Sequence, residues 1–199
     1  MSAVNEWVVR EYFETLGFLV SQPRKYIASG RQRRAEEEID LLVHNPSVTE
    51  HRVPSDMIWD SSSLKDVERA VIGVRGWHTE RFYSTTLENN PEILRFAESA
   101  PLRAAEKRLG SAKIAKILCL PRLPASGALK DKTILLLRSK EIDGVISFQT
   151  MLTEIVDGVS SNLNYEKSDL LQIIRLLKSY DLLKDGQLEL FERRPRRRK

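Results

Sequence analysis

The chain has 199 residues, of which 41% are hydrophobic and 30% are charged, and its formal net charge is +4. This composition is typical of an ordinary globular domain, and no apolar run approaches the ~20 residues that a membrane-spanning helix needs. The single cysteine excludes a disulfide framework and a cysteine-based zinc site, and the N-terminus has no signal-peptide pattern, so we expect a cytoplasmic protein without a membrane partner.

The first half of the chain is predicted to contain one helix followed by short strands. The predicted elements, in order, are a helix over 3–17 closed by Gly17, and strands over 18–20, 38–44, 48–53 and 70–77. Gly73 and Gly76 interrupt the last of these strands, and a glycine inside a strand often marks a close approach of another group.

The second half alternates helices and strands. The predicted elements are helical segments over 92–97 and 102–109 split by Pro101, a strand over 114–120, a helix over 130–140, a strand over 143–148, and helices over 149–159 and 170–183. A strand, a helix and a strand at this spacing predict a βαβ crossover with parallel pairing. The sequence therefore predicts the α/β class, with a mixed central sheet flanked by helices.

Three regions are expected along the chain: a core over 1–160, a helical appendage over 161–192 and a basic tail over 193–199. The tail carries six positive charges, so the rest of the chain has a net charge of −2. Such a tail would attract a polyphosphate partner without sequence preference, or would simply be a solvated terminus. The appendage, with a short apolar segment at 188–191, is interpreted as a packing element or dimer arm, and a minimal winged helix is the alternative.

Two carboxylates stand at the start of the predicted strand over 38–44. Residues two apart on a strand share a face and lie about 6–7 Å apart, so Glu38 and Asp40 are expected to point the same way. A carboxylate at the end of an apolar strand is costly unless it is paired, solvated or bound to a cation, and one or two carboxylates commonly hold Mg²⁺. The pair is therefore a candidate magnesium site. Alternatively, Glu38 belongs to a solvated acidic cluster whose negative charge balances the positive charge of the preceding arginines.

Two further charged side chains are candidates for the same site. Arg75 follows the apolar run of the strand over 70–77, and its guanidinium fits a phosphate group. The alternative for Arg75 is an ion pair with Asp40 or Glu38 that joins the two strands. Glu6 lies one turn into the first helix and could reach the same strand edge, or it could be a solvated helix glutamate.

Three other residues are interpreted structurally. Trp77 is expected in the core, and a base-stacking surface is the less favoured alternative. His78 is expected to be structural, although a contact with phosphate or water is also considered. Cys119 lies in an apolar run and is expected to be a buried thiol.

The candidate residues resemble the motif of the PD-(D/E)XK phosphodiesterase superfamily, which has the restriction-endonuclease-like fold. That superfamily opens with a helix carrying a glutamate, and here Glu6 stands eleven residues before Gly17-Phe18. A following strand bears the metal-binding aspartate, which Asp40 matches, and the next carries Glu-x-Lys, where this chain has Gly73-Val74-Arg75. The similarity spans residues 3–150 and implies a restriction-endonuclease-like mixed sheet flanked by helices.

The chain departs from this motif at two positions. Gly73 stands where the second acidic ligand would be, and Arg75 replaces the lysine. Loss of a ligand would weaken Mg²⁺ binding, and arginine cannot act as a general base. Glu38 could replace the missing ligand, because the acidic residue migrates in some members of the superfamily.

The resemblance implies one of two functions. The first is Mg²⁺-dependent phosphodiester hydrolysis of DNA or RNA, in which Asp40 and Glu38 hold the metal, Glu6 assists through water and Arg75 braces the phosphate. The second is an inactive restriction-endonuclease-like protein that serves as a nucleic-acid-binding or assembly subunit. Both imply a nucleic-acid partner, DNA in preference to RNA, and many relatives form homodimers.

Overall fold

The computed structural model describes residues 3–23, 38–79 and 81–183. The chain divides into two compact units, Met1–Met151 and Leu152–Lys199. The division falls inside a helix, whereas the sequence places it between residues 160 and 161. None of the described helices combines the length and the apolar character needed to cross a membrane.

The described elements begin with one helix and three strands; helical segments then follow, with two further strands between them. In order they are α1 (Ala3–Thr15), β1 (Leu19–Ser21), β2 (Leu41–His44), β3 (Arg69–Val74), α2 (Ser84–Asn89), a 3₁₀ helix (Pro91–Ala97), α3 (Ser99–Leu109), β4 (Ala115–Leu120), α4 (Gly127–Ser139), β5 (Gly144–Ser147), α5 (Phe148–Gly158) and α6 (Asp169–Ser179).

The five strands form one mixed sheet in the order β1-β2-β3-β4-β5. Strand β2 pairs antiparallel with β1 on one side and with β3 on the other, and β3, β4 and β5 are parallel. The predicted α/β class and the parallel pairing across the β4-α4-β5 crossover are therefore confirmed. Because β2 runs against β3, the start of β2 and the ends of the three parallel strands lie at the same edge of the sheet.

The predicted end of the first helix is confirmed. Gly17 has a φ of +86°, in the left-handed region that glycine adopts readily. Its N–H donates to the carbonyl of Glu14, and the N–H of Phe18 donates to the carbonyl of Phe13, each at 3.0 Å. This is the Schellman arrangement, and it turns the chain directly into β1.

Two predictions about local structure are wrong. Residues 48–53 form no strand, and the N–H of Arg52 donates instead to the carbonyl of Asp66 across a loop. Pro101 does not split a helix, because it lies in the first turn of α3, where an N–H has no partner within the helix.

The core of the first unit lies between the sheet and its helices. Phe96, Leu118 and Val145 belong to one buried apolar cluster, which also includes Phe82. Cys119 is fully buried, as predicted, and burial raises the pKa of its thiol. Helix α1 packs on β1, β2 and β3, and α3 packs on β2 and β3.

The second unit is described up to residue 183. The side chain of Ser168 caps α6 by accepting from the N–H of Leu171 at 3.2 Å. The helix ends at Ser179, four residues before the predicted end, because Asp181 adopts a φ of +56° and the chain reverses there. The apolar segment at 188–191 and the basic tail at 193–199 lie outside the described residues.

Candidate functional site

Asp40 and Arg75 meet at the sheet edge where β2 begins and β3 ends. Leu41 pairs with Ile72 across the two strands, so the residue before Leu41 lies beside the last residues of β3. Both side chains are buried, each with only 8% of its surface exposed. The structure therefore brings together two of the four predicted site residues.

The Asp40 carboxylate accepts two short hydrogen bonds on one oxygen. Its Oδ2 accepts from the backbone N–H of Val74 and from Nη1 of Arg75, each at 2.7 Å. Charge-assisted bonds of this length are the strong class of protein hydrogen bonds. The interaction fixes the start of β2 to the end of β3.

The Arg75 guanidinium makes further contacts within the protein. Nη1 also donates to the Val74 carbonyl at 2.7 Å, and Nη2 donates to the Glu92 carbonyl at 3.3 Å. The guanidinium carbon lies 5.8 Å from the centre of the Phe96 ring, within the range of a cation–π contact. These contacts correspond to the ion-pair alternative for Arg75, in which the side chain joins two strands and the 3₁₀ helix.

Gly73 is required by the packing of Phe96. A Cβ at Gly73 would come within 2.4 Å of two carbons of that ring, which is closer than atoms can approach. The Phe96 ring is fully buried, so it has little room to move. The space beside Gly73, where the resemblance would place an acidic side chain, is therefore filled by an aromatic ring from the 3₁₀ helix.

Glu38 lies outside the strand that was predicted to hold it. Strand β2 begins at Leu41, so the alternation of a strand does not place Glu38 on the same face as Asp40. The Glu38 carboxylate lies 3.6 Å from Nη1 of Arg95, and both side chains are partly exposed. Arg95 belongs to the 3₁₀ helix; the arginines before the strand lie outside the described residues.

Glu6 is buried on α1 and is the acceptor of a hydrogen bond from the side chain of Gln22. The neighbouring Asn5 occupies the space that a Cβ at Gly76 would need. Asn5 Oδ1 also lies 2.8 Å from Nε2 of His78. The start of α1 thus packs against the chain that leaves β3. His78 takes part in this packing, which is the structural role expected for it.

These groups do not fit a magnesium site as they stand. Mg²⁺ requires oxygen ligands that are open to it, but Asp40 Oδ2 is held by two N–H donors and Gly73 contributes no side chain. Over the ranges that the structure describes, no three His, Cys, Asp or Glu side chains form a group that could hold a metal ion.

An aromatic surface lies next to this edge, and it corresponds to the less favoured of the two alternatives for Trp77. Trp77 is 37% exposed, so its predicted place in the core is wrong. Its ring stacks on that of Phe82, with centroids 5.8 Å apart and an angle of 23° between the planes. Tyr83 follows Phe82 and is 36% exposed. The only signal in the sequence was the spacing of aromatic residues around Arg81 after a strand.

The opposite edge of the sheet holds a polar cluster. His51 Nδ1 accepts from the N–H groups of Glu68 and Arg69, at 3.1 and 3.4 Å, and burial lowers the pKa of the imidazole. Burial raises the pKa of Asp143, although its carboxylate accepts from the Lys116 N–H at 2.7 Å. Both side chains accept hydrogen bonds from backbone N–H groups, and they therefore anchor the starts of β3 and β4.

No protein-family model, no curated protein and no solved structure matches the chain. The functional interpretation therefore depends on the residues and geometry described above.

Proposed function

We propose that the protein has a restriction-endonuclease-like fold whose catalytic position is occupied by a structural ion pair, and that it acts by binding nucleic acid, DNA in preference to RNA. The observation that carries this proposal is the buried Asp40–Arg75 pair. It stands where the superfamily motif would place a metal ligand and a catalytic lysine.

The order of elements supports the proposed fold. A helix carrying Glu6 precedes the sheet, Asp40 stands immediately before β2, and Gly73-Val74-Arg75 ends at the carboxyl end of β3. The later helix, strand, helix and strand also follow in the order that the resemblance implies. The proposed fold does not depend on catalysis, because these positions are fixed by strand pairing and packing.

The contacts of the pair support the inactive alternative over the catalytic one. Arg75 is buried and donates to Asp40, to its own neighbour Val74 and to Glu92. A guanidinium that is held in this way does not face a substrate phosphate. Because Phe96 fills the space beside Gly73, a second carboxylate ligand cannot be accommodated there without repacking the core.

Exposed cations support a nucleic-acid partner. Arg103 and Lys107 lie one turn apart on α3 and are both exposed. The tail over 193–199 adds six positive charges. Cations near a polyphosphate release its condensed counterions, which gives binding that weakens as the salt concentration rises.

A cleavage assay tests the inactive alternative. Wild type and Asp40→Asn would be incubated at high concentration with single-stranded and duplex DNA and RNA, in Mg²⁺ and in Mn²⁺. The asparagine keeps the size and an acceptor oxygen of Asp40. We expect both proteins to give the same background. Metal-dependent cleavage by wild type that Asp40→Asn loses would establish the nuclease alternative.

Fluorescence anisotropy with labelled oligonucleotides tests the binding half of the proposal. We expect the full chain to bind DNA with an affinity that falls as salt is raised, and to bind RNA of matched sequence more weakly. Absence of binding at low salt would leave the assembly-subunit alternative.

A further inference from the structure

We propose that Trp77, Arg81, Tyr83 and Arg122 form a stacking surface for single-stranded nucleic acid, which we call the Trp77 platform. This inference depends on the proposed nucleic-acid partner and adds the class of strand and the place where it binds. It concerns residues that the superfamily motif does not include.

Trp77 is the exposed part of the platform and Phe82 is its support. Phe82 is fully buried in the core, and the Trp77 ring stacks on it while keeping 37% of the residue exposed. A tryptophan held against a rigid ring loses little side-chain entropy when a base stacks on it, because its orientation is already fixed. By contrast, Trp59 is only 1% exposed and is unavailable to a ligand.

Two arginines lie beside this aromatic pair. Arg81 precedes Phe82, and the N–H of Phe82 donates to the Arg122 carbonyl at 2.9 Å. Nη1 of Arg81 donates to the Leu123 carbonyl at 3.3 Å, which places its guanidinium over the segment after β4. Both arginines are exposed, and neither forms an ion pair with any residue that the structure describes. Their charges are therefore available to phosphates.

The platform lies at the edge of the sheet where ligands commonly bind. Trp77 follows the end of β3, and Arg122 follows the end of β4, which is parallel to it. In α/β sheets the loops at the carboxyl ends of parallel strands line the usual binding crevice. Tyr83, which is 36% exposed, is the residue immediately before α2.

The combination of rings and guanidinium groups favours a single strand over a duplex. Bases in a duplex are already paired and stacked, so a tryptophan reaches their faces only after unstacking. Unpaired bases offer both faces to an aromatic ring, and arginines next to the ring can contact the connecting phosphates. The platform is therefore expected to bind single strands without strong sequence preference.

The test measures the binding of the full chain to a labelled oligothymidylate and to a duplex of the same length. Substitution Trp77→Ala is expected to weaken binding of the single strand by about 5- to 100-fold and to leave duplex binding unchanged. Trp77→Phe should retain most of the affinity. Tyr180→Ala serves as the matched control, because Tyr180 is an exposed aromatic residue that is not part of the platform.

Two additional readouts distinguish direct contact from a loss of folding. Binding of the oligothymidylate should quench tryptophan fluorescence in wild type, and Trp77→Phe should lose most of that quenching while it still binds. Arg81→Ala and Arg122→Ala should each lower the slope of affinity against salt by about 0.7, with Lys132→Ala as an exposed control outside the platform.

The results separate this inference from the proposed function. Wild-type binding that Trp77→Ala does not weaken, together with quenching that persists in Trp77→Phe, would overturn the platform and leave nucleic-acid binding intact. If wild type binds neither the single strand nor the duplex, both proposals fail.

Discussion

The Asp40–Arg75 pair and the Trp77 platform differ in the exposure of their side chains to solvent, although Arg75 and Trp77 are only two residues apart. The pair is buried, and its hydrogen bonds and ring contact are made within the protein. In the platform, a tryptophan and two arginines remain exposed. The chain leaves the sheet after Val74, and this change of environment accompanies a change of role from structure to proposed recognition.

The position of a charged residue in a sequence motif does not by itself decide whether that residue acts on a ligand. A charged side chain at a strand end can act on a ligand only if its partners within the protein leave it free to do so. The exposed arginines after the strand have that freedom, whereas Arg75 does not.

Removing one member of the pair should have the largest effect. Asp40→Ala removes the carboxylate to which the buried Arg75 guanidinium donates, and we expect a loss of about 3–5 kcal/mol in the free energy of unfolding. Denaturant unfolding monitored by circular dichroism measures this loss.

The matched control is Asp131→Ala, an exposed aspartate on α4 that should change stability by no more than about 0.5 kcal/mol. Equal effects of the two substitutions would contradict the structural role of the pair.

Adding a methyl group beside the pair should have the next largest effect. Gly73→Ala forces a Cβ into the Phe96 ring, and overpacking of this kind costs about 1–3 kcal/mol. Gly127→Ala provides the control, because a Cβ there meets no atom within 4 Å. If Gly73→Ala were as stable as Gly127→Ala, the space beside β3 would be open and a carboxylate at position 73 could be accommodated.

The Glu38–Arg95 pair should contribute much less than the buried one. At 3.6 Å, with both side chains partly exposed, Glu38→Ala should cost about 0–1 kcal/mol, because solvent and salt screen such pairs. Urea unfolding at low and high salt checks this. A loss of several kcal/mol that is unaffected by salt would show that Glu38 has a structural role comparable to that of Asp40.

The smallest effect is expected at the opposite edge of the sheet and concerns pH. The pKa of folded His51 is lowered from 6.5, so below about pH 6.5 the unfolded chain binds more protons than the folded one and stability falls. His51→Asn keeps an acceptor for the N–H groups of Glu68 and Arg69 but cannot titrate. The melting temperature, measured between pH 5 and 8, should fall less steeply with decreasing pH for this variant than for wild type. An equally steep fall would assign the pH dependence to other groups.

Much of the fold could be predicted because local patterns determine it. The apolar runs before Pro121 and around Val145, separated by an amphipathic helix, were sufficient to predict the parallel crossover. The strand expected over 48–53 failed because its alternating pattern is too short to decide between a strand and a loop that hydrogen-bonds to Asp66.

The site was less predictable because its decisive contacts are between distant residues. Phe96 is 23 positions from Gly73, and nothing in the local sequence indicates that its ring fills the space beside that glycine. The contact between Glu38 and Arg95 was missed for the same reason. Trp77 was placed in the core by its hydrophobicity, and its exposure depends on Phe82 occupying the core position below it.

Thermal unfolding of wild type and Asp40→Asn, in EDTA and in excess Mg²⁺ or Mn²⁺, shows whether Asp40 holds Arg75 or a metal ion. A ligand that binds only the folded state raises the melting temperature. We predict that neither metal raises the melting temperature of wild type relative to Asp40→Asn. A metal-dependent rise in wild type that Asp40→Asn abolishes would contradict the account.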